Sequence, residues 1–294
     1  MADPEETRSE LLVSLEREGF VVIKSVLNAD QLKELREAAA RSAELARSGK
    51  WPFVRVVGKQ FPPWEWTTEH GIWGVQHLMN PSLPDSPKFS ELYFSDSILD
   101  ITKILLQCED EHLVMELFNM LVRPEVDFQL RWHRDDIPPE ATGEEELGRL
   151  KEPAWHAQYN LALWQDDSLV VVPGSHVRNR TQTERDADPL AQSLPGQLVV
   201  HLDAGDIVFY NNNILHRGVY DSERERMTLH GSVGHINGSK LRARNVLQHG
   251  VGPWVDSCDF SSLGRDQRTR AEGMRERLRK MGCESGEVGY SLQG

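Results

Sequence analysis

The stretch FQLRWHRDDI, residues 128–137, runs strand-like into His133 and sets Asp135 two residues further on. In an extended strand residues i and i+2 point to one face, so His133 and Asp135 project together while Arg134 turns away. An imidazole nitrogen and a carboxylate oxygen from one strand end, joined by a third ligand from a neighbouring strand, form a three-ligand face with open positions. That donor set suits non-haem Fe(II), which must keep sites free for substrate and oxygen. His216, in NNNILHRGV just after a turn, is the candidate third ligand. Arg226 follows ten residues later, and Thr228 stands at i+2 from it in RERMTLHG. The two share a strand face, and the planar fork of an arginine suits a carboxylate in bidentate fashion. Gln129 and Arg131 alternate with His133, so a regular strand turns all three toward the metal side. There they could contact co-substrate or substrate, or brace the barrel. Asp136 reads as a solvent-facing or supporting residue.

These groups need a scaffold that brings several strand ends together. REGFVVIKSVL (17–27) reads as a buried strand, and NADQLKELREAAARSAELARSG as a helix capped by Asp30 and ending near Gly49. A second helix fits 96–108, and a charged helix fits 265–282, able to cap the barrel or pair with another chain. Between them, 111–122, 126–133, 156–164, 168–176, 196–220 and 225–236 read as strands divided by turns. Many short strands with turn signals predict a mainly β chain with flanking helices around a jelly-roll core, a cupin-like double-stranded β-helix. The chain divides into a helix-rich part over about 1–110, the core over about 111–250 and a helical extension over about 251–294, read as one catalytic domain. Residues 51–73 hold Trp51, Trp64, Trp66 and Trp73 in a poorly periodic stretch, which reads as packing or a substrate lid. Arg55 and Lys59 read as a solvated face, with contact to an anionic substrate as the other reading.

Composition narrows the partners. A formal net charge of −13 argues against nucleic acid and anionic membrane, because phosphate binding needs local basic excess. No apolar run approaches the ~20 residues of a membrane span. The N-terminal MADPEETRSE lacks a signal-peptide pattern, and the C-terminal YSLQG is not a peroxisomal tripeptide. Cys108, Cys258 and Cys283 are far apart, which fits a reducing compartment. The expectation is a cytoplasmic protein with a small-molecule substrate, as a monomer or homodimer.

Taken in order, WHRDD, SLVVVPGSH, DAGDIVFYNNNILHRGV and RERMTLHGS resemble the phytanoyl-CoA dioxygenase family of Fe(II)/2-oxoglutarate oxygenases. The resemblance spans about residues 17–236, including GFVVIKSVLNADQL. It implies that His133, Asp135 and His216 ligate Fe(II), and that Arg226 holds the distal carboxylate of 2-oxoglutarate. Thr228 then fills the second polar position of an Arg-x-Ser/Thr pattern, and O2 is the oxidant. Asn160 aligns with a co-substrate neighbour that is often tryptophan in the family, and Arg134 stands where glutamine is common. Keeping Asp135 favours oxygenation over halogenation, since halogenating members replace the carboxylate ligand with a small residue. The implied reaction oxidises a C–H bond of a small or medium-sized metabolite by hydroxylation, desaturation or cyclisation. Two other readings remain: a cupin-like metalloenzyme without 2-oxoglutarate, and a non-catalytic metabolite sensor. His176, His230 and His235 are expected in packing, turn or surface roles, and His77 as a packing residue with a possible substrate contact.

Overall fold

Alternating strands and amphipathic helices account for most of the chain, which in this computed structural model is described over residues 4–66 and 71–287. The C-terminal YSLQG and the first three residues lie outside the described residues. Along the chain run α1 (Pro4–Glu18), β1 (Phe20–Ile23), α2 (Ala29–Arg47), β2 (Val54–Val56) and β3 (Ile72–Val75). Next come α3 (Ser86–Tyr93), α4 (Asp96–Leu106), β4 (Leu113–Val122), β5 (Phe128–Gln129), α5 (Gly143–Leu150), β6 (His156–Ala162) and β7 (Leu169–Val172). The chain continues through α6 (Gln182–Asp186), β8 (Leu198–Val199), β9 (Ile207–Tyr210), β10 (Leu215–Tyr220) and β11 (Met227–His235) to α7 (Lys240–Val246) and α8 (Arg265–Cys283).

The strands form two antiparallel sheets, a large one ordered β1-β9-β6-β11-β4-β3-β2 and a small one ordered β5-β10-β7-β8. This is the double-stranded β-helix of the sequence analysis. The large sheet turns one face inward to the small sheet and the other to the helices. On β6, Ala157, Tyr159 and Leu161 join the main apolar core, while Gln158 and Asn160 face the interior cavity. α2 lays Leu35, Ala38, Ala39, Ala43 and Ala46 on that core. The small residues let the helix lie close to its neighbours, and a fully buried leucine adds about 2 kcal/mol. α8 buries Ala271, Met274 and Leu278 and packs across α7 and β4, so the charged C-terminal helix covers the back of the large sheet. No helix among the described residues is long and apolar enough to cross a membrane.

Several local expectations change. Asn28, and not Asp30, caps α2, because its side chain accepts from the Gln31 amide while the Gln31 side chain accepts from the Asn28 amide. The tryptophan-rich stretch contains β2 and leads into β3, strands too short to show a period. The run 126–133 is not one regular strand. After β5 it continues only as an isolated bridge between His133 and His216.

Close packing behind the cavity makes Gly231 on β11 a sensitive point. A Cβ there would lie 2.4 Å from the ring and hydroxyl of Tyr159, its cross-strand partner, which is 1% exposed and packed on Phe209. Gly231→Ala should therefore destabilise the protein by about 1–3 kcal/mol. A denaturation midpoint equal to that of the unmutated chain would show that Tyr159 can move aside freely.

Candidate functional site

His133 and His216 are backbone partners. Each amide donates to the other's carbonyl at 3.0 Å, so both side chains leave the ladder on one side with ring centroids 4.3 Å apart. The Asp135 amide donates to Asn212 O at 2.9 Å and fixes the carboxylate one step further along. Ligand atoms of His133, Asp135 and His216 come within 4.8 Å of one another, with Asp135 Oδ1 3.4 Å from His133 Nε2 and 3.6 Å from His216 Nε2.

The supporting hydrogen bonds aim these atoms. Nδ1 of His133 donates to Arg131 O and Nδ1 of His216 to Ile214 O, both at 2.8 Å. Each bond selects the tautomer whose Nε2 carries a free lone pair, the state a metal ligand needs. Gln158 Nε2 donates to Asp135 Oδ2 at 2.9 Å and leaves Oδ1 turned to the histidines. Burial disfavours charge on Asp135, yet His216, His133 and the Gln158 amide hold its carboxyl below the usual carboxylate range. Burial, reinforced by His133, pushes His216 down to about 4. Two imidazole nitrogens and one carboxylate oxygen thus meet on one face, a donor set that fits Fe(II).

These residues line a cavity of about 190 Å³ between the sheets, with Arg55, Phe61, Trp64, Trp73, Tyr210, Tyr220, Arg226 and His230 around it. A larger, open groove of about 550 Å³ lies near α2, α3 and the start of α8; its lining of Glu34, Lys88, Glu91 and Arg270 is that of a solvated surface.

Arg226 and Thr228 sit side by side at the start of β11, and both donate to the same oxygen, Oδ2 of Asp166, the arginine through Nε at 3.0 Å. Burial opposes the charge of each partner, but their mutual attraction raises Arg226 and lowers Asp166. Arg226 Cζ lies 4.4 Å over the Tyr220 ring, and its buried Nη1 has no hydrogen-bond partner among the described residues. The arginine fork is therefore held at one corner and open at another.

Gln129 and Arg131 are not brought to the cavity. They line a separate surface depression near Gly58 and Pro189, and Gln129 accepts from Arg217 at 3.2 Å. Leu130 and His133 both line the cavity, so the alternation slips by one residue between them. An irregular backbone after β5 is the physical reason. Asn160 is at the cavity, where its Oδ1 accepts from His230 Nδ1 at 2.8 Å. His230, expected in packing or at the surface, lines the cavity instead, as do Arg55, Gln158, Tyr210 and Tyr220. The i, i+2 rule applied to β6, β9, β10 and β11 would have found all but Arg55. Asp136 accepts from Asn212 Nδ2 and stays outside the ligand cluster. His176 donates through Nε2 to Glu16 O at 3.0 Å, and His77 packs against Phe53 and Trp254.

Arg134 explains how the loop between the candidate ligands His133 and Asp135 is held. Its guanidinium donates to the carbonyls of Ser175, Asn213 and Arg178, and so ties the ligand loop to both neighbouring turns. Glu146, fully buried on α5, faces Arg134, Arg180 and Arg185 and balances that positive charge.

Burial pushes His230 down to about 3, so it and His216 remain neutral well into acid. Both fold with a pKa below the ordinary value near 6.5, so the unfolded chain takes up protons that the folded one refuses. Stability should be complete above about pH 6.5 and fall as the pH drops toward 4, by on the order of 1–2 kcal/mol per histidine at pH 5. Urea midpoints of metal-free protein at pH 7.5 and 5.0 measure this, and equal midpoints would mean that these rings are hydrated.

With the geometry described, comparisons with known proteins bear on the reading. No curated protein matches the chain significantly. Among solved structures, the 2-oxoglutarate-dependent epimerase SnoN from nogalamycin biosynthesis is 18% identical, covering 79% of this chain and 84% of its own, with a TM-score of 0.52. EctD from S. alaskensis with 2-oxoglutarate and 5-hydroxyectoine is 16% identical, covering 81% and 78%, with a TM-score of 0.56. HygX from Streptomyces hygroscopicus with nickel and 2-oxoglutarate is 17% identical, covering 76% and 86%, with a TM-score of 0.55. At these identities the likeness is one of fold. The family model for phytanoyl-CoA dioxygenase (PhyH) matches residues 15–227, most of the chain and every residue of the ligand cluster. The chain belongs to the phytanoyl-CoA dioxygenase family of Fe(II)- and 2-oxoglutarate-dependent oxygenases.

Proposed function

We propose that this chain oxidises a C–H bond of a small or medium-sized organic molecule, with His133, Asp135 and His216 holding the Fe(II). The observation that carries the reading is the convergence of their three ligand atoms within 4.8 Å at the edge of a cavity between the sheets. When bound, iron and 2-oxoglutarate supply the oxidising chemistry: decarboxylation to succinate and CO2 gives O2 two electrons, and the substrate C–H bond gives the other two.

The chain's own groups bind, orient and shield. Gln158 holds Asp135 so that Oδ1 faces the histidines, and the two carbonyl-bonded imidazoles present Nε2. Arg226, steadied by Asp166 and Tyr220, offers its unpaired Nη1 to the distal carboxylate of 2-oxoglutarate. Asn160 and His230, linked to each other, line the space between that arginine and the ligand cluster. Phe61, Trp64, Trp73 and Tyr220 form an apolar rim that keeps water from the oxidised carbon. Structural neighbours hold 5-hydroxyectoine and hygromycin B, which supports a small or medium-sized organic substrate. The three free cysteines fit a reducing setting, and on that ground we place the chain in the cytoplasm.

Anaerobic titration of metal-free protein with Fe(II) and then 2-oxoglutarate should produce the weak visible charge-transfer band of the chelate. Asp135→Ala and His216→Ala should each abolish the band and substrate-dependent succinate formation; wild-type behaviour in either would remove that residue from the ligand set. Arg226→Ala should keep iron binding but raise the 2-oxoglutarate concentration at half-saturation roughly 10- to 100-fold, the loss of a charge-assisted hydrogen bond. An unchanged half-saturation would assign the carboxylate to another residue. Iron binding with no band in the unmutated protein would favour a cupin-like metalloenzyme that does not use 2-oxoglutarate.

A further inference from the structure

Arg55 forms no ion pair with a carboxylate among the described residues of this cavity. It occupies the centre of β2 opposite Gly74 of β3, where a Cβ would stand 3.0 Å from Arg55 Cδ. The glycine therefore leaves open the lane along which the arginine stem runs inward. The guanidinium carbon lies 5.2 Å over the Trp64 ring and 5.0 Å over the Trp73 ring, and the residue lines the cavity with His133 and Asp135. Its Nε is shut off from solvent and has no hydrogen-bond partner among the described residues. Burial is the main influence on the group and holds its pKa below the ordinary arginine range; Tyr220, Tyr210 and Asp135 act on it only through space.

The second cavity arginine is in the opposite state. Arg226 already shares Asp166 with Thr228, so that pair of donors and one carboxylate are close to neutral together. An anion entering the cavity therefore meets one guanidinium that already shares a carboxylate and keeps Nη1 open, and one with no carboxylate paired to it among the described residues. Aromatic faces stabilise a guanidinium but leave its N–H edge unsatisfied, and a buried edge of that kind is completed by a planar anion.

We propose that Arg55 is an anion receptor of the cavity, binding a carboxylate at the guanidinium edge between Trp64 and Trp73. The proposal rests on the oxygenase reading only for the source of that carboxylate, which is either 2-oxoglutarate or an acidic organic substrate.

Two arms test it with Arg55→Met, which keeps bulk and loses charge, and Arg55→Lys, which keeps charge and loses the fork; Arg55→Gln serves should the methionine variant fail to fold. In the first arm, thermal shifts of metal-free protein are followed in low-chloride buffer with 2-oxoglutarate, benzoate and neutral benzamide. A carboxylate should stabilise the unmutated chain, benzamide should not, and affinity should fall roughly 10- to 100-fold in Arg55→Met with partial recovery in Arg55→Lys. In the second arm, the chelate band is titrated anaerobically with 2-oxoglutarate on Fe(II)-loaded protein. A raised half-saturation in Arg55→Met assigns the carboxylate to the co-substrate. An unchanged half-saturation, with benzoate binding lost in the first arm, assigns it to the substrate. Equal binding of both carboxylates by the unmutated and Arg55→Met proteins, or binding of neither by the unmutated protein, would overturn the proposal. A missing band in every protein would sink the oxygenase reading, while the first arm would still decide the role of Arg55.

Discussion

The reciprocal pair of hydrogen bonds between His133 and His216 is the constraint on which the candidate metal site depends. An antiparallel pair that exchanges both amide bonds sets its two side chains on the same face at a fixed spacing. Without it, residues 83 positions apart in sequence would have no reason to present Nε2 to one point. The pair lies just where β5 has ended and β10 begins, so it also marks the mouth of the barrel. Everything nearby serves to keep that bridge in register: the Asn212 carbonyl on the Asp135 amide, and the Arg134 guanidinium on the carbonyls of both neighbouring turns.

Charge is handled differently on the two sides of the site. Behind the ligand loop, Glu146 is wholly buried and matched by arginines, so a costly desolvation is offset by close opposite charges and by the hydrogen bonds that Oε2 accepts from the Arg180 amide and Arg185. Inside the cavity, Arg226 is balanced by Asp166, and His216 and His230 stay neutral because burial disfavours their protonation. Arg55, unlike Arg226, faces aromatic rings with no carboxylate paired to it among the described residues. The interior is thus set up with one carboxylate at the ligand cluster and one guanidinium, Arg55, without a paired carboxylate on the same cavity wall.

Glycines set how closely these layers approach. Gly231 admits the Tyr159 ring between β6 and β11, and Gly74 admits the Arg55 stem across β2 and β3. The first closeness tightens the core behind the cavity; the second delivers a cationic group into it. Helices α2 and α8 cover the outer face of the large sheet, which frees its inner face for polar residues such as Gln158, Asn160, Thr228 and His230.

Residue types and spacing alone determined the sheet-rich core, the ligand candidates and the Arg226–Thr228 pair, because period-two alternation and short motifs are local properties. The same rule misled at Gln129 and Arg131, since a backbone irregularity between Leu130 and His133 reverses which side faces inward, and composition carries no sign of it. Asp135 was legible from its spacing to His133, but its partner Gln158 was not, because only strand pairing brings β6 to the ligand loop. Asp166 was hidden for the same reason, and Arg55 reads first as solvated surface, with contact to an anionic substrate as its second reading. One looks like an ordinary turn residue and the other like part of a solvated surface until the folded sheets enclose them. Tertiary structure decided which charges are neutralised and which stay free, since desolvation and pairing depend on distances that the order of residues does not contain.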